Sequence, residues 1–168
     1  MDQKIRTLAF RRILFRIAAS RLGLWLSPRV LPGSDRFLLR VSGNRYSATA
    51  WLAGLQVVMV RTTGARSGAP RTQPLIPFPI GNRLGLIASN WGGKHHPAWY
   101  YNVLAHPEVQ VERGRGSEHF LAHEATGEER EEFWRQAVRR YPGYALYQKR
   151  AGGRKIRVIV LTPKEKIP

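Results

Sequence analysis

Apolar and polar residues follow two different rhythms along this chain, and the change falls near residue 56. Residues 4–26, KIRTLAFRRILFRIAASRLGLWL, place Ala9, Phe10, Ile13, Leu14, Ile17 and Leu24 on one broad face, opposite Lys4, Arg11, Arg12 and Arg16. That spacing predicts a basic amphipathic helix. Leu8, Phe15 and Leu22 sit among the basic positions, so the stripe is imperfect. Ser27-Pro28 and Pro32 to Asp35 end it, and Ser42 to Ala50 reads as a linker. From Gln56 the chain changes to short apolar runs between turn residues. Strands are predicted at 56–62, 73–78, 83–89, 109–113, 118–125 and 156–162. Helices are predicted over 97–104 and 128–140, the second opened by Thr126 and Glu129 at capping-box spacing. Pro142 can start a further short helix carrying Tyr144 and Tyr147.

Neighbouring strands with helices set between them predict an α+β domain, mostly antiparallel and curled into a barrel that hides its edges. The expected organisation is a helical N-terminal arm and linker over 1–50 and a barrel domain over 51–168. A Rossmann fold is disfavoured, because no G-x-G-x-x-G opens a helix and Gly114-Arg115-Gly116 stands alone.

Composition narrows the chemistry. At 168 residues one domain with a sizeable core is expected, and the absence of cysteine excludes disulfides, thiolate nucleophiles and zinc sites built on sulfur. A reducing cytoplasm is compatible with that. The formal net charge of +17 gives a strongly positive field that attracts nucleic acid, anionic lipid or a polyanionic small molecule. No reading helix, zinc finger or aromatic RNA-binding strand is recognisable, so only non-specific, salt-sensitive contact with nucleic acid is expected. No uncharged run approaches the roughly 18 residues of a spanning helix, whereas the basic arm can lie on an anionic membrane or dock on its own domain.

The candidate chemistry starts at Val60 to Leu75, VRTTGARSGAPRTQPL. Gly64 and Gly68 let backbone N–H groups turn toward an anion, Thr62, Thr63 and Ser67 add hydroxyls, and Arg66 and Arg71 add charge. The same residues also make a serviceable tight turn with solvated arginines. His95-His96 and the pair His119 and His123 have no acidic or sulfur partner at ligand spacing, and no metal is expected.

Three segments together, TTGARSGAPRTQPL, IASNWGGKHHPAWYYNVLAHPEVQV and the helix ending YPGYALYQ, resemble the deazaflavin-dependent nitroreductase family of oxidoreductases. The resemblance covers about Leu55 to Pro163. It implies the FMN-binding split-barrel-like fold and coenzyme F-420, an 8-hydroxy-5-deazaflavin with a phospholactyl-oligoglutamate tail, in preference to FMN. The anionic tail suits hydrogen-bond donors and guanidinium forks. By resemblance Arg66, Ser67, Gly68, Arg71, Thr72, Gln73, Pro74 and Leu75 touch the tail and headgroup. Ala88, Ser89 and Asn90 face the ring, and Ala98, Trp99 and Asn102 close the pocket. Ala65 departs from a common arginine, and Arg66 stands where lysine is usual. Tyr144, Ser89 and Tyr147 are the implied catalytic residues, with Tyr144 placed to touch both ligands and Tyr141 read as a core residue. A strand-end serine such as Ser89 also often bonds its own backbone.

The implied activity is hydride transfer from the reduced deazaflavin to a quinone, nitroaromatic or activated enone, the cofactor carrying the chemistry. A lipid-soluble quinone would give the arm a purpose at the inner membrane face. An FMN-dependent reductase on the same barrel, or a ligand carrier without catalysis, are the alternatives.

Overall fold

The computed structural model describes residues 56–113 and 116–164, and the compact unit they build begins at Val58. The arm and linker expected over 1–50 lie outside the described residues. Seven strands make one antiparallel sheet: β1 (Val58–Thr63), β2 (Pro70–Leu75), β3 (Phe78–Ile80), β4 (Arg83–Ala88), β5 (Glu108–Arg113), β6 (Gly116–Glu124) and β7 (Arg157–Pro163). Three helices accompany them: α1 (Ala98–Ala105), α2 (Gly127–Arg140) and α3 (Gly143–Arg150).

The sheet order is β2-β1-β5-β6-β7-β4-β3. Its two edge strands are therefore consecutive in sequence, separated only by Ile76 and Pro77. Such a link spans on the order of 10 Å, so the sheet must curl until its edges approach. No ladder joins β2 to β3 among the described residues. Pro70, Pro74, Pro77 and Pro79 lie along these edges and have no N–H to donate. The result is a barrel left open along one seam, the split β-barrel expected from sequence.

Proline also explains the one misplaced strand. The predicted strand over 73–78 is broken at Ile76-Pro77, so β2 starts earlier and the remainder becomes β3, which pairs with β4 through Phe78↔Gly85 and Pro79↔Leu84.

Alternation divides the core into two layers. Inside the curl, Val58 and Val60, Leu84 and Leu86, Val109 and Val111, Phe120 and Ala122, and Ile159 and Leu161 pack around Trp99, Tyr100 and Val103 of α1. On the outer face of β4 and β7, Ile87, Val158 and Val160 meet Phe133 and Ala137 of α2 and Tyr144 and Tyr147 of α3. Strands covered on both faces read as unbroken apolar runs, as LGLIA and VIVL do.

The start of α2 differs from its sequence pattern. Thr126 makes no side-chain cap bond. The Glu129 carboxylate instead meets Arg83 of β4 and, at 2.8 Å, the His123 ring of β6. A cross-element charge pair has taken the carboxylate that a capping box would have used.

Candidate functional site

The β1–β2 hairpin closes through residues 64–69, and part of its backbone bonds within the turn. Gly64 N–H donates to the Ala69 carbonyl and Gly68 N–H to the Gly64 carbonyl, both at 2.9 Å. Ala69 N–H reaches Ser67 Oγ at 3.3 Å, and Ala65 N–H reaches Asn102 Oδ1 at 3.0 Å. The amides of Gly64 and Gly68 are thus committed to the turn. What the hairpin offers a ligand is side-chain charge. Arg61, Arg66 and Arg71 are exposed and form no ion pair among the described residues. Arg83, Arg130 and Arg157 each pair with a glutamate.

Register places the β2 residues. Arg71 lies opposite Thr62, Gln73 opposite Val60 and Leu75 opposite Val58, on the strand face that turns into the barrel, whereas Thr72 and Pro74 pair with Arg61 and Met59 on the other face. Leu75 packs against the inner core, and Arg71 stands at the rim of the same face.

Helix α1 links this hairpin to the second motif. From its middle, Asn102 accepts from Ala65 N–H and donates through Nδ2 to Thr62 Oγ1 at 3.1 Å. Trp99 is buried in the inner core, while Ala98 at the first position is exposed. Asn102 thus shapes the loop beside the arginines.

At the end of β4, Ala88 is buried and Ser89 is half-buried. The chain then makes a single 3-10 turn over Asn90–Gly92, with Asn90 at φ 45, Trp91 at φ 56 and Gly92 at φ 75. Asn90 spends its side chain on the His95 carbonyl at 3.0 Å. Trp91 meets Tyr147 edge-on, ring centroids 5.8 Å apart. A Cβ on Gly92 would stand 2.6 Å from the Tyr147 carbonyl oxygen, so only glycine fits there.

One residue that the sequence did not single out holds this turn. Arg154 donates to the carbonyls of Ala88 (3.4 Å), Ser89 (2.8 Å) and Gly93 (2.9 Å), and to His96 Nδ1 (2.9 Å). An arginine only donates, so His96 carries its proton on Nε2 and is neutral in this arrangement. Burial, then the charges of Arg154 and Arg157, hold the His96 pKa below its ordinary value. The His96 ring lies tilted against Tyr100, centroids 4.6 Å apart; the Tyr100 hydroxyl donates to Glu124 at 2.6 Å, and Arg157 donates to the other Glu124 oxygen at 2.9 Å. Burial and the Glu124 bond push Tyr100 up to about 12. Sequence gave no signal for these partners, because Arg154 sits in a Gly-Gly-Arg-Lys turn and Glu124 on a strand end.

The tyrosines form a separate group. Tyr141 and Tyr147 share a hydrogen bond of 2.9 Å between their hydroxyls. Tyr144, only 6% exposed, lies edge-on to Phe78 and Tyr141, and its hydroxyl has no hydrogen-bond partner among the described residues. Burial raises the pKa of all three. They belong to the outer core, whereas Ala88 and Trp99 belong to the inner one. The turn from Ser89 to Gly92, through Trp91, joins the two. His119 and His123 are exposed on β6.

Residues 36–163 match the family model described as F420H(2)-dependent quinone reductase. An F420H(2)-dependent quinone reductase of Mycobacterium tuberculosis is 31% identical over 83 residues, covering 46% of this chain and 56% of that protein. The match therefore spans little more than half the length of the curated relatives. A solved F420-H2 dependent reductase, FDR-A, superposes with a TM-score of 0.58 at 40% identity, covering 62% of this chain and 92% of that one. A heme binding protein from Mycobacterium smegmatis, at 13% identity and a TM-score of 0.50, shares the fold alone, over 65% of this chain and 46% of that one.

Proposed function

The chain belongs to the F420H(2)-dependent quinone reductase family, and we propose that it binds reduced coenzyme F-420 and uses it to reduce a quinone. The observation that carries this reading is the hairpin on which Arg61, Arg66 and Arg71 are exposed and without ion pairs among the described residues. A phosphate followed by glutamates is a string of anions, and exposed guanidiniums at a barrel rim fit it by charge and by fork geometry.

Arg66, Ser67, Gly68 and Arg71 would hold the tail, with Thr72 to Leu75 beside the headgroup. Ala88, Ser89 and Asn90 would seat the ring, and Ala98, Trp99 and Asn102 would close over it. When bound, the reduced deazaflavin supplies the hydride. The chain's own part is to orient the acceptor, exclude water with Trp99 and the buried strand end, and donate a hydrogen bond where oxyanion charge develops. Ser89 Oγ and the Tyr144 hydroxyl are the donors of choice. Burial keeps Tyr144 protonated, and its O–H is not spent on a partner among the described residues. Tyr147, bonded to Tyr141 and packed on Trp91, would hold the turn against the tyrosine cluster.

Nitroaromatics and activated enones accept hydride by the same chemistry. A peripheral seat on the inner face of an anionic membrane is read from residues 4–26, which lie outside the described residues. Among those that are described, no helix is long and apolar enough to cross a membrane.

The test is a titration of the purified chain with reduced deazaflavin and, separately, FMN, followed by turnover with menadione. Deazaflavin binding with menadione reduction is expected. Tight FMN uptake without deazaflavin affinity would overturn the cofactor reading, and binding without turnover would make the protein a carrier.

A further inference from the structure

We propose that Arg154 is a positioning residue for the deazaflavin ring: its guanidinium fixes the turn after β4 and thereby sets where Ser89 stands relative to Trp99. This rests on the F-420 reading above.

Four acceptors surround that guanidinium, and they come from both ends of one segment. The carbonyls of Ala88 and Ser89 end strand β4, whereas Gly93 and His96 lie just before α1, which begins at Ala98. Between them run three consecutive residues in the left-handed region, two of which are not glycine. Such residues are strained and persist only where their surroundings over-determine them. Local bonds contribute, since Gly92 N–H reaches the Ser89 carbonyl at 3.0 Å and Gly93 N–H the Asn90 carbonyl at 2.8 Å. These hold the turn's shape but not its position on the barrel. Arg154, arriving from the far side of α3, supplies the tie between the strand end and the helix start.

The chemistry selects arginine. A planar fork of five donors can serve several carbonyls and an imidazole at fixed angles, whereas an ammonium is a single point that cannot reach both ends of the segment. Because Trp99 lies three residues beyond His96, whatever fixes His96 also fixes Trp99. Both walls of the proposed ring seat are thereby referred to one side chain that need not touch the cofactor.

The experiment compares Arg154→Lys and Arg154→Ala with the wild type in the full chain. Three quantities are measured: the Kd for reduced deazaflavin, the KM for menadione, and amide exchange without cofactor. Loss of charge-assisted bonds should raise the deazaflavin Kd about tenfold in both variants. The menadione KM should hold, and exchange should quicken at residues 89–97 while β5 and β6 stay protected. Millimolar guanidinium ion should restore affinity to Arg154→Ala, a rescue that general destabilisation would not give. Wild-type affinity in either variant, or a loss accompanied by faster exchange throughout the sheet and no rescue, overturns the inference. A wild type that binds no deazaflavin overturns the functional reading as well, whereas a binding wild type with unaffected variants overturns this inference alone.

Discussion

The carboxamide of Asn102, on the helix that fills the barrel, donates to the buried hydroxyl of Thr62 at 3.1 Å, forty residues away in sequence. Its oxygen meanwhile accepts from Ala65 in the hairpin loop. One side chain therefore fixes the loop whose arginines face solvent. Asn102→Ala should destabilise the fold by about 1–3 kcal/mol, because a buried polar group loses its partner. Deazaflavin affinity should fall as well. Thermal denaturation paired with a binding titration checks both, and a stable variant with wild-type affinity would remove Asn102 from the design of the loop.

Arg66 and Arg71 carry the cofactor assignment through charge alone. Each changed to alanine should raise the deazaflavin Kd about tenfold, on the order of 1.5 kcal/mol for a lost charge-assisted bond. Stability should hold, since neither is in an ion pair among the described residues. The dependence of Kd on salt should flatten in both variants. Unchanged affinity in both would leave the hairpin as a turn with solvated arginines.

Gly92 and Gly68 share a left-handed backbone, at φ 75 and φ 63, but not a neighbourhood. A Cβ at Gly68 meets nothing within 4 Å, whereas at Gly92 it would strike the Tyr147 carbonyl. Gly68→Ala should therefore cost about 1–2 kcal/mol, the backbone term alone. Gly92→Ala should cost clearly more and shift Trp91 away from Tyr147. Urea denaturation of the two variants measures the difference; equal costs would mean that the turn can retreat from α3.

His96 links stability to acid. Its folded pKa lies below the ordinary 6.5, through burial first and then through Arg154 and Arg157. The unfolded chain therefore binds the proton more readily, so this contribution is present above pH 6.5 and is lost as pH falls below it toward the folded value. His96→Asn, which keeps an acceptor for Arg154, should flatten the stability profile on the acid side of pH 6.5. Denaturation midpoints at a series of pH values read this directly, and an unaltered profile would place the titration elsewhere.

Tyr144→Phe should lower turnover about tenfold with little change in cofactor affinity, if the phenol donates to the acceptor's oxygen. Steady-state rates with menadione decide this. Equal rates would return Tyr144 to its packing role against Phe78.

Much of the barrel was legible because alternation and apolar runs report burial residue by residue. LGLIA and VIVL read as strands, and Phe133 and Ala137 recur at the i and i+4 spacing of the inward stripe of α2. The segment around Pro77 was not, since one proline divides an apolar run into strands on opposite edges of the sheet. The capping box at Thr126 and Glu129 failed for a related reason: a local pattern cannot know that Arg83 and His123 will stand closer to the carboxylate than the helix's own N-terminus does.

By itself the sequence determined the class of fold, the order of its elements, and a basic Gly-Ser-Arg hairpin whose company of Ser89, Trp99 and tyrosines pointed to an anionic deazaflavin. The elements and the hairpin follow from periodicity, turn chemistry and charge in short windows, whereas the deazaflavin rests on the resemblance of those motifs to a known family. Tertiary structure alone decided that Asn102 meets Ala65 and Thr62, that Tyr144 and Trp99 lie in different core layers, and that Arg154 ties Ser89 to His96 across 65 and 58 residues. Such ties follow from how the sheet curls and where α3 returns to it, and closure over those separations leaves no periodic trace in the chain.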